Sequence, residues 1–417
     1  MYLRGMGQTD YEFYQLSNGL RIAHKRITGT RLVHCGFIIH AGSSNDGANP
    51  GIAHCMEHMV FKGTQKRKTI HVLNHLEVVG GEMNAFTTKE FTAIYASVQA
   101  AHFMRAVDIL ADVTFSSAIP DIELEKEKKV ITEEINMYLD TPEENIYDEF
   151  HEQIYGKHPL AHNILGSAES LKKLKRHDLL EFIHQWYALP NMVFSVVGNV
   201  SLKRVVAALE KYVLPLQVQS QMPEKKRAKV TYSPLSVTRE TDHQQAYAIF
   251  GGMAYPEGHA NKWKLLLLNN LLGGPGLNSR LNLAIREKYG YTYHVESGYQ
   301  TYMNSGLFHV YLSSEKKYIE KSVNLALQEL KKLKTQKLGL LQLSRAKNQF
   351  AGQMVMSDES RTGLMVHNGR GILTEGRAIS LKEVIAEIQK ISATDLMETA
   401  VDIFDESNFS YLTYLPE

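Results

Sequence analysis

The sequence predicts an α+β protein built from two homologous domains, on three observations. Its 417 residues are too many for one compact core. Strand-like apolar runs bounded by turn signals are interleaved with helix-like runs throughout. The two halves also read in the same order of strand, helix, helix, glycines, strand pair and helix, which duplication explains most simply.

The elements follow in order. Tyr14–Leu16 and Leu20–His24 flank the turn Ser17-Asn18-Gly19 and predict a strand pair. Leu32–His40 is a longer apolar strand that ends at Ala41-Gly42-Ser43-Ser44-Asn45-Asp46. Gly51–Phe61 and Thr69–Val79 read as helices, the second closed by Gly80-Gly81. Phe91–Val98 is a strand, helical patterns fill most of 101–188, Met192–Val197 is a strand, and 201–212 is a helix. Between Pro215 and Pro234 the chain turns polar, with three glutamines and the run Glu224-Lys225-Lys226-Arg227. That stretch predicts a linker over 216–234 between domains 1–215 and 235–417. In the second half Ala246–Gly252 is the long strand, Trp263–Leu272 a helix broken by Gly273-Gly274-Pro275-Gly276, and Leu281–Lys288 another helix. Tyr291–Gly298 and Leu307–Leu312 are strands, followed by a helix over 317–333.

Composition narrows the function. With 44% hydrophobic and 22% charged residues the chain is globular rather than disordered. Its 46 basic and 45 acidic residues leave a net charge of +1, which gives no electrostatic reason to expect nucleic acid or an anionic membrane as partner. The basic run near 225 lacks the aromatic residues that stack bases and reads as a solvated linker face. Two cysteines, Cys35 and Cys55, exclude a disulfide framework, and Cys55 reads as a small buried residue on the back of its helix. The start Met1–Asp10 shows no secretion or organelle signal, and no apolar run reaches membrane-spanning length. A cytoplasmic location with no membrane partner is the expectation.

The chemistry concentrates in His54-Cys55-Met56-Glu57-His58. Two histidines four apart share one helix face, with Glu57 at its edge. Imidazoles at that spacing can bind one Zn²⁺, and the glutamate can take the proton of a water activated by it. With the glutamate before the second histidine, this is the inverted zincin arrangement. Its place after a strand and a glycine-rich turn favours a site over an amphipathic helix with satisfied histidines.

A catalytic zinc needs a third protein ligand and one open position. The helical segment Glu123–Tyr138 is rich in acids, most of them solvated and paired along the helix. Glu127 and Glu134 are seven apart on one face, beside a buried side marked by Val130, Ile131 and Ile135. Spacing does not choose among these acids, and Glu133 competes. His71 and His75, with Glu77 nearby, form a second histidine pair that lacks a base in register and reads as an exposed face. His151, His158 and His162 lie near Gly156 and Pro159 and read as loop residues.

With these motifs in place, nearly the whole chain resembles the pitrilysin and mitochondrial processing peptidase family of inverted zincins. Gly51–Thr64, ending in Phe61-Lys62-Gly63-Thr64, is very close to the family motif. Asn84-Ala85-Phe86-Thr87 resembles its substrate-edge strand, Glu127–Ile135 its distal helix, and Asp140-Thr141-Pro142 the exit from that helix. The resemblance implies that Glu134 is the third ligand and Glu127 a supporting acid. Arg286 and Tyr293, within Arg286–Tyr293 of the second half, match the family's substrate-binding pair, although Tyr291 stands where leucine is frequent. An arginine and a phenol suit a carbonyl oxygen on which charge develops.

The resemblance also implies two domains, each a mostly antiparallel sheet packed with helices, and one Zn²⁺ per chain held by His54, His58 and Glu134. It implies a metalloendopeptidase with Glu57 as general base and with Asn84 and Ala85 holding an extended peptide as an added strand. One chain carries both motif sets, so a homodimer is expected, with a heterodimer as the alternative. The competing function is a non-catalytic subunit of a processing-peptidase-like complex, which would lose a ligand or the base; here every expected residue is present. A metal-storage module would need neither Glu57 nor the arginine–tyrosine pair. Manganese or cobalt would suit the same ligands.

Overall fold

The computed structural model describes residues 11–216, 218, 221–222 and 229–417. The start Met1–Asp10 and, within the expected linker, residues 217, 219, 220 and 223–228 lie outside the described residues.

Two mixed sheets organise the chain. The first contains β1 (Tyr11–Gln15), β2 (Arg21–Arg26), β3 (Leu32–Ile39), β4 (Glu82–Thr87), β5 (Thr92–Gln99) and β6 (Met192–Gly198), in the order β1-β2-β6-β3-β5-β4. The second contains β7 (Ser236–Thr241), β8 (Ala246–Ala254), β9 (Thr292–Thr301), β10 (Gly306–Ser314) and β11 (Ser410–Pro416), in the order β7-β11-β8-β10-β9. Both have one parallel pair, β2–β6 and β7–β11, and their remaining pairs are antiparallel. Without β1, each strand of the first sheet has a counterpart with the same connections in the second. That shared topology is what a duplicated sequence requires.

The helices in chain order are α1 (Ile52–Met59), α2 (Thr69–Glu77), α3 (Phe103–Phe115), α4 (Asp121–Leu139), α5 (Pro142–Tyr155), α6 (Ala168–Lys173), α7 (Arg176–Trp186), α8 (Leu202–Tyr212), α9 (Lys262–Gly273), α10 (Ile319–Thr335), α11 (Leu340–Asp358), α12 (Arg361–Glu375), α13 (Leu381–Lys390) and α14 (Ala393–Ile403). The compact units they form are not contiguous in sequence. One gathers Met1–Asn136, His162–Ala228 and Ser357–Ser380, and so takes α12; the other gathers Met137–Ala161, Lys229–Met356 and Leu381–Glu417, and so takes α5.

In the first unit every residue of the central strand β6 is buried, as expected of a strand covered on both faces. Helix α12 supplies part of that cover. Ser195 on β6 donates a 2.6 Å hydrogen bond to the Met365 carbonyl, and Leu364 and Met365 pack with Ile38, Ala93 and Val197. Gly369 permits this approach, since a Cβ there would stand 2.4 Å from Ile38 Cγ1.

In the second unit α5 covers the sheet, with Ile146, Phe150 and Ile154 against Ile249, Leu307 and Leu412. Pro142 occupies the first turn of α5 and Gly156 (φ 53) ends it, so His151 lies inside a helix rather than in the expected loop. It is buried, with Nε2 2.8 Å from Gln300 Oε1 and 2.9 Å from the Tyr302 hydroxyl. The helix expected over Leu281–Lys288 is a π-helical turn at Asn282–Glu287, where Asn282 directs its side-chain amide back to the Leu277 carbonyl.

Candidate metal centre

The motif helix α1 is short, and six of its eight residues are buried, so its placement is set by packing and by its first turn. Gly51 begins it at φ 88, a conformation that favours glycine. A Cβ there would also lie 2.6 Å from the Leu165 carbonyl oxygen. The two carboxylate oxygens of buried Asp46 accept from the backbone amides of Gly51 (2.6 Å) and Ala53 (3.2 Å), which fixes the entry to the helix. Burial pushes the Asp46 carboxyl well above the usual range, against those hydrogen bonds and nearby Lys89.

His54 and His58 stand one turn apart with ring centroids 4.7 Å from each other. Glu134 reaches them from α4, with Oε1 3.8 Å from His54 Nε2 and Oε2 3.5 Å from His58 Nε2. Glu133, one residue earlier, is exposed, so the structure separates two acids that spacing left equivalent. Ligands about 2.0–2.2 Å from a tetrahedral zinc stand roughly 3.3–3.6 Å apart, close to the separations observed. Burial, then the charge of His58, lowers the His54 pKa to about 4, which keeps a lone pair for a metal. His54, His58 and Glu134 therefore fit one Zn²⁺, and they form the one such cluster among the described residues.

Further residues frame the cluster. Glu127, buried on α4, places Oε2 3.0 Å from His58 Nδ1, and its Oε1 meets Lys62 Nζ at 2.7 Å. Glu57 is half-buried; burial raises its pKa, opposed by the polar groups of nearby Thr87 and by the charge of His58. Tyr187, fully buried after α7, has a hydroxyl without a hydrogen-bond partner, and burial followed by the Glu57 charge pushes its pKa up. Sequence reasoning passed over Tyr187, because a lone tyrosine after an amphipathic helix carries no motif.

Asn84 and Ala85 lie on β4, which is the edge strand of its sheet; the Asn84 side chain accepts from the Ala85 amide at 2.8 Å. In the other unit Arg286 stacks its guanidinium 5.8 Å from the Tyr293 ring centroid, and Tyr293 is 82% exposed. Both line a cleft of about 330 Å³ with Asn269, Asn270 and Ser297. The second histidine pair stays outside the cluster. His71 is exposed, and His75 sits 3.8 Å from Asp108, which is paired with Arg67 at 2.6 Å.

Two histidines one turn apart, a carboxylate from a second helix and a glutamate between the histidines define a zinc metallopeptidase of the inverted kind. The chain belongs to the M16 peptidase family: residues 21–168 match the insulinase (peptidase family M16) model and residues 173–350 the peptidase M16 inactive domain model. An uncharacterized zinc protease of Bacillus subtilis, YmxG, is 32% identical over 394 residues, which cover 94% of this chain and 95% of that relative. An uncharacterized zinc protease of Rickettsia felis is 30% identical over 396 residues, with 95% of each chain covered. The fold matches a solved peptidase M16 inactive domain from Pseudomonas fluorescens at TM-score 0.90 and 20% identity, covering 98% of both chains. A Helicobacter pylori protease matches at TM-score 0.88 and 19% identity, over 97% of this chain and 99% of the other. The protein is a zinc-dependent metalloendopeptidase. Among the described residues no helix is long and apolar enough to cross a membrane.

Proposed function

We propose that the enzyme cuts extended oligopeptides added as a strand to β4, with Glu57 as general base. The observation that carries this reading is the packing of α1, the helix of Glu57, against β4, whose last residue, Thr87, works against the effect of burial on the Glu57 carboxyl. That packing brings Glu57 close to the edge strand of a sheet, so a peptide paired with that edge lies beside the group that must deliver water. Held by His54, His58 and Glu134, zinc would supply Lewis-acid chemistry, an acidic water near neutral pH and a polarised scissile carbonyl. Glu57 takes a proton from the attacking water and passes it to the leaving amine as the C–N bond breaks. Asn84 and Ala85 hold the peptide main chain, and Glu127 orients His58.

The proposed division of labour assigns zinc to residues 1–215, a linker to 216–234, and substrate binding by Arg286 and Tyr293 to 235–417. A homodimer is the proposed assembly, because one chain carries both sets of residues; sedimentation velocity tests it. Two free buried cysteines suit the reducing cytoplasm proposed as its location.

Peptides methylated at single backbone nitrogens test the strand-addition reading. Cleavage should fall at alternate positions, where the amide faces β4, and survive between them. A uniform response to methylation would contradict pairing with the edge.

A further inference from the structure

We propose that Lys62 is a positioning residue of the zinc site, gripping one oxygen of Glu127 so that the other holds His58 Nδ1. The inference rests on His54, His58 and Glu134 as the zinc ligands.

Both Glu127 oxygens are engaged, Oε1 by Lys62 Nζ at 2.7 Å and Oε2 by His58 Nδ1 at 3.0 Å. The carboxylate is 8% exposed and the lysine side chain 27%, so this pair is not the solvated kind that contributes little. A carboxylate paired to an ammonium only accepts hydrogen bonds. Its second oxygen therefore calls for N–H at His58 Nδ1 and leaves the lone pair on Nε2, the atom 3.5 Å from Glu134. His54 has no such support, since its buried Nδ1 lacks a hydrogen-bond partner. The pre-set geometry of the histidine pair thus enters through His58.

Lys62 is presented from a fixed turn. Its amide bonds the Met59 carbonyl at 3.1 Å, and the Gly63 carbonyl accepts from Ala118 at 3.0 Å. Gly63 has φ 109, which favours glycine. Thr64 donates to buried Asp112 at 2.7 Å, and Arg67 bridges Asp112 and Asp108.

The test reads metal and ring, not peptide cleavage, so its failure is separable from failure of the strand-addition reading. Zinc affinity is measured by chelator competition on wild type, Lys62→Met and Lys62→Arg. In the zinc-free proteins, long-range ¹H–¹⁵N spectra report the His58 tautomer. Lys62→Met should bind zinc about 10–100-fold more weakly, with His58 shifting away from the Nδ1–H form. Lys62→Arg, which keeps a cationic donor, should restore both. If Lys62→Met does not fold, Lys62→Gln gives the same two readings without the charge. Unchanged affinity, or weaker affinity with an unchanged tautomer, would overturn the proposal.

Discussion

Glu127 Oε2 lies 3.0 Å from Nδ1 of His58, on the ring edge opposite the nitrogen that faces Glu134. One helix, α4, therefore supplies both an acid of the metal cluster and, two turns earlier, the carboxylate against His58 Nδ1. Glu127→Ala should leave three ligands in place yet weaken zinc binding about 10–100-fold. Chelator competition at fixed pH measures this, and an affinity within threefold of wild type would refute the orienting role.

Thr87 should act on the proposed base, Glu57, rather than on the metal. Thr87→Val removes the hydroxyl that helps to hold down the Glu57 pKa and keeps the β-branched shape suited to β4. We expect kcat to fall on the order of tenfold, about the 1–1.5 kcal/mol of one hydrogen bond, with zinc content unchanged. Parallel steady-state kinetics and metal analysis would show it; loss of zinc in this variant would mean that Thr87 supports the whole site.

Gly369 tests the docking of α12 on the first sheet. A Cβ at this position would stand 2.4 Å from Ile38 Cγ1 and 3.3 Å from Ser195 Cβ. Gly369→Val should destabilise the first unit by about 1–3 kcal/mol through overpacking. Urea unfolding followed by hydrogen exchange at β3 and β6 amides would register the loss, and an unchanged midpoint would contradict the close approach.

His309 should make the core of the second unit sensitive to acid. Burial, then the neighbouring His151, lowers its pKa to about 3 from the ordinary 6.5, and its Nδ1 lacks a hydrogen-bond partner. Below pH 6.5 the unfolded chain binds this proton while the folded chain does not. The contribution to stability is thus complete above pH 6.5 and falls as pH drops towards 3. His309→Phe keeps a ring over Gly298 and removes the titration. Hydrogen exchange at β10 amides should lose protection between pH 6.5 and about 5 in wild type and lose less in the variant; equal losses would exclude His309 as the source.

Much of the site is legible in the sequence because it is local. His54, Glu57 and His58 occupy one helix, and Glu127 and Glu134 share a face of another, so helical period alone groups them. The choice of Glu134 over Glu133 came from resemblance, since both acids border a buried side and only packing points one inward. Tyr187 was not legible, because it is separated from Glu57 by 130 residues and comes within reach of its charge only through the fold. The same holds for β11, a seven-residue run at the chain end that enters the middle of a sheet. The membership of α5 and α12 in units formed mainly by the opposite half was hidden too, because amphipathic pattern shows that a face is buried but not against which sheet. His151 was misplaced for a related reason: Gly156 and Pro159 suggested a loop, while Pro142 had already started a helix reaching Tyr155.

The most direct measurement compares cleavage of a quenched fluorescent peptide library by wild type, Glu57→Gln and chelated wild type. The account predicts cleavage by untreated wild type, recovery of the chelated enzyme on adding zinc, and a loss of at least about 100-fold in Glu57→Gln while it retains zinc. Cleavage by Glu57→Gln at the wild-type rate, or by wild type with its zinc removed, would contradict the account.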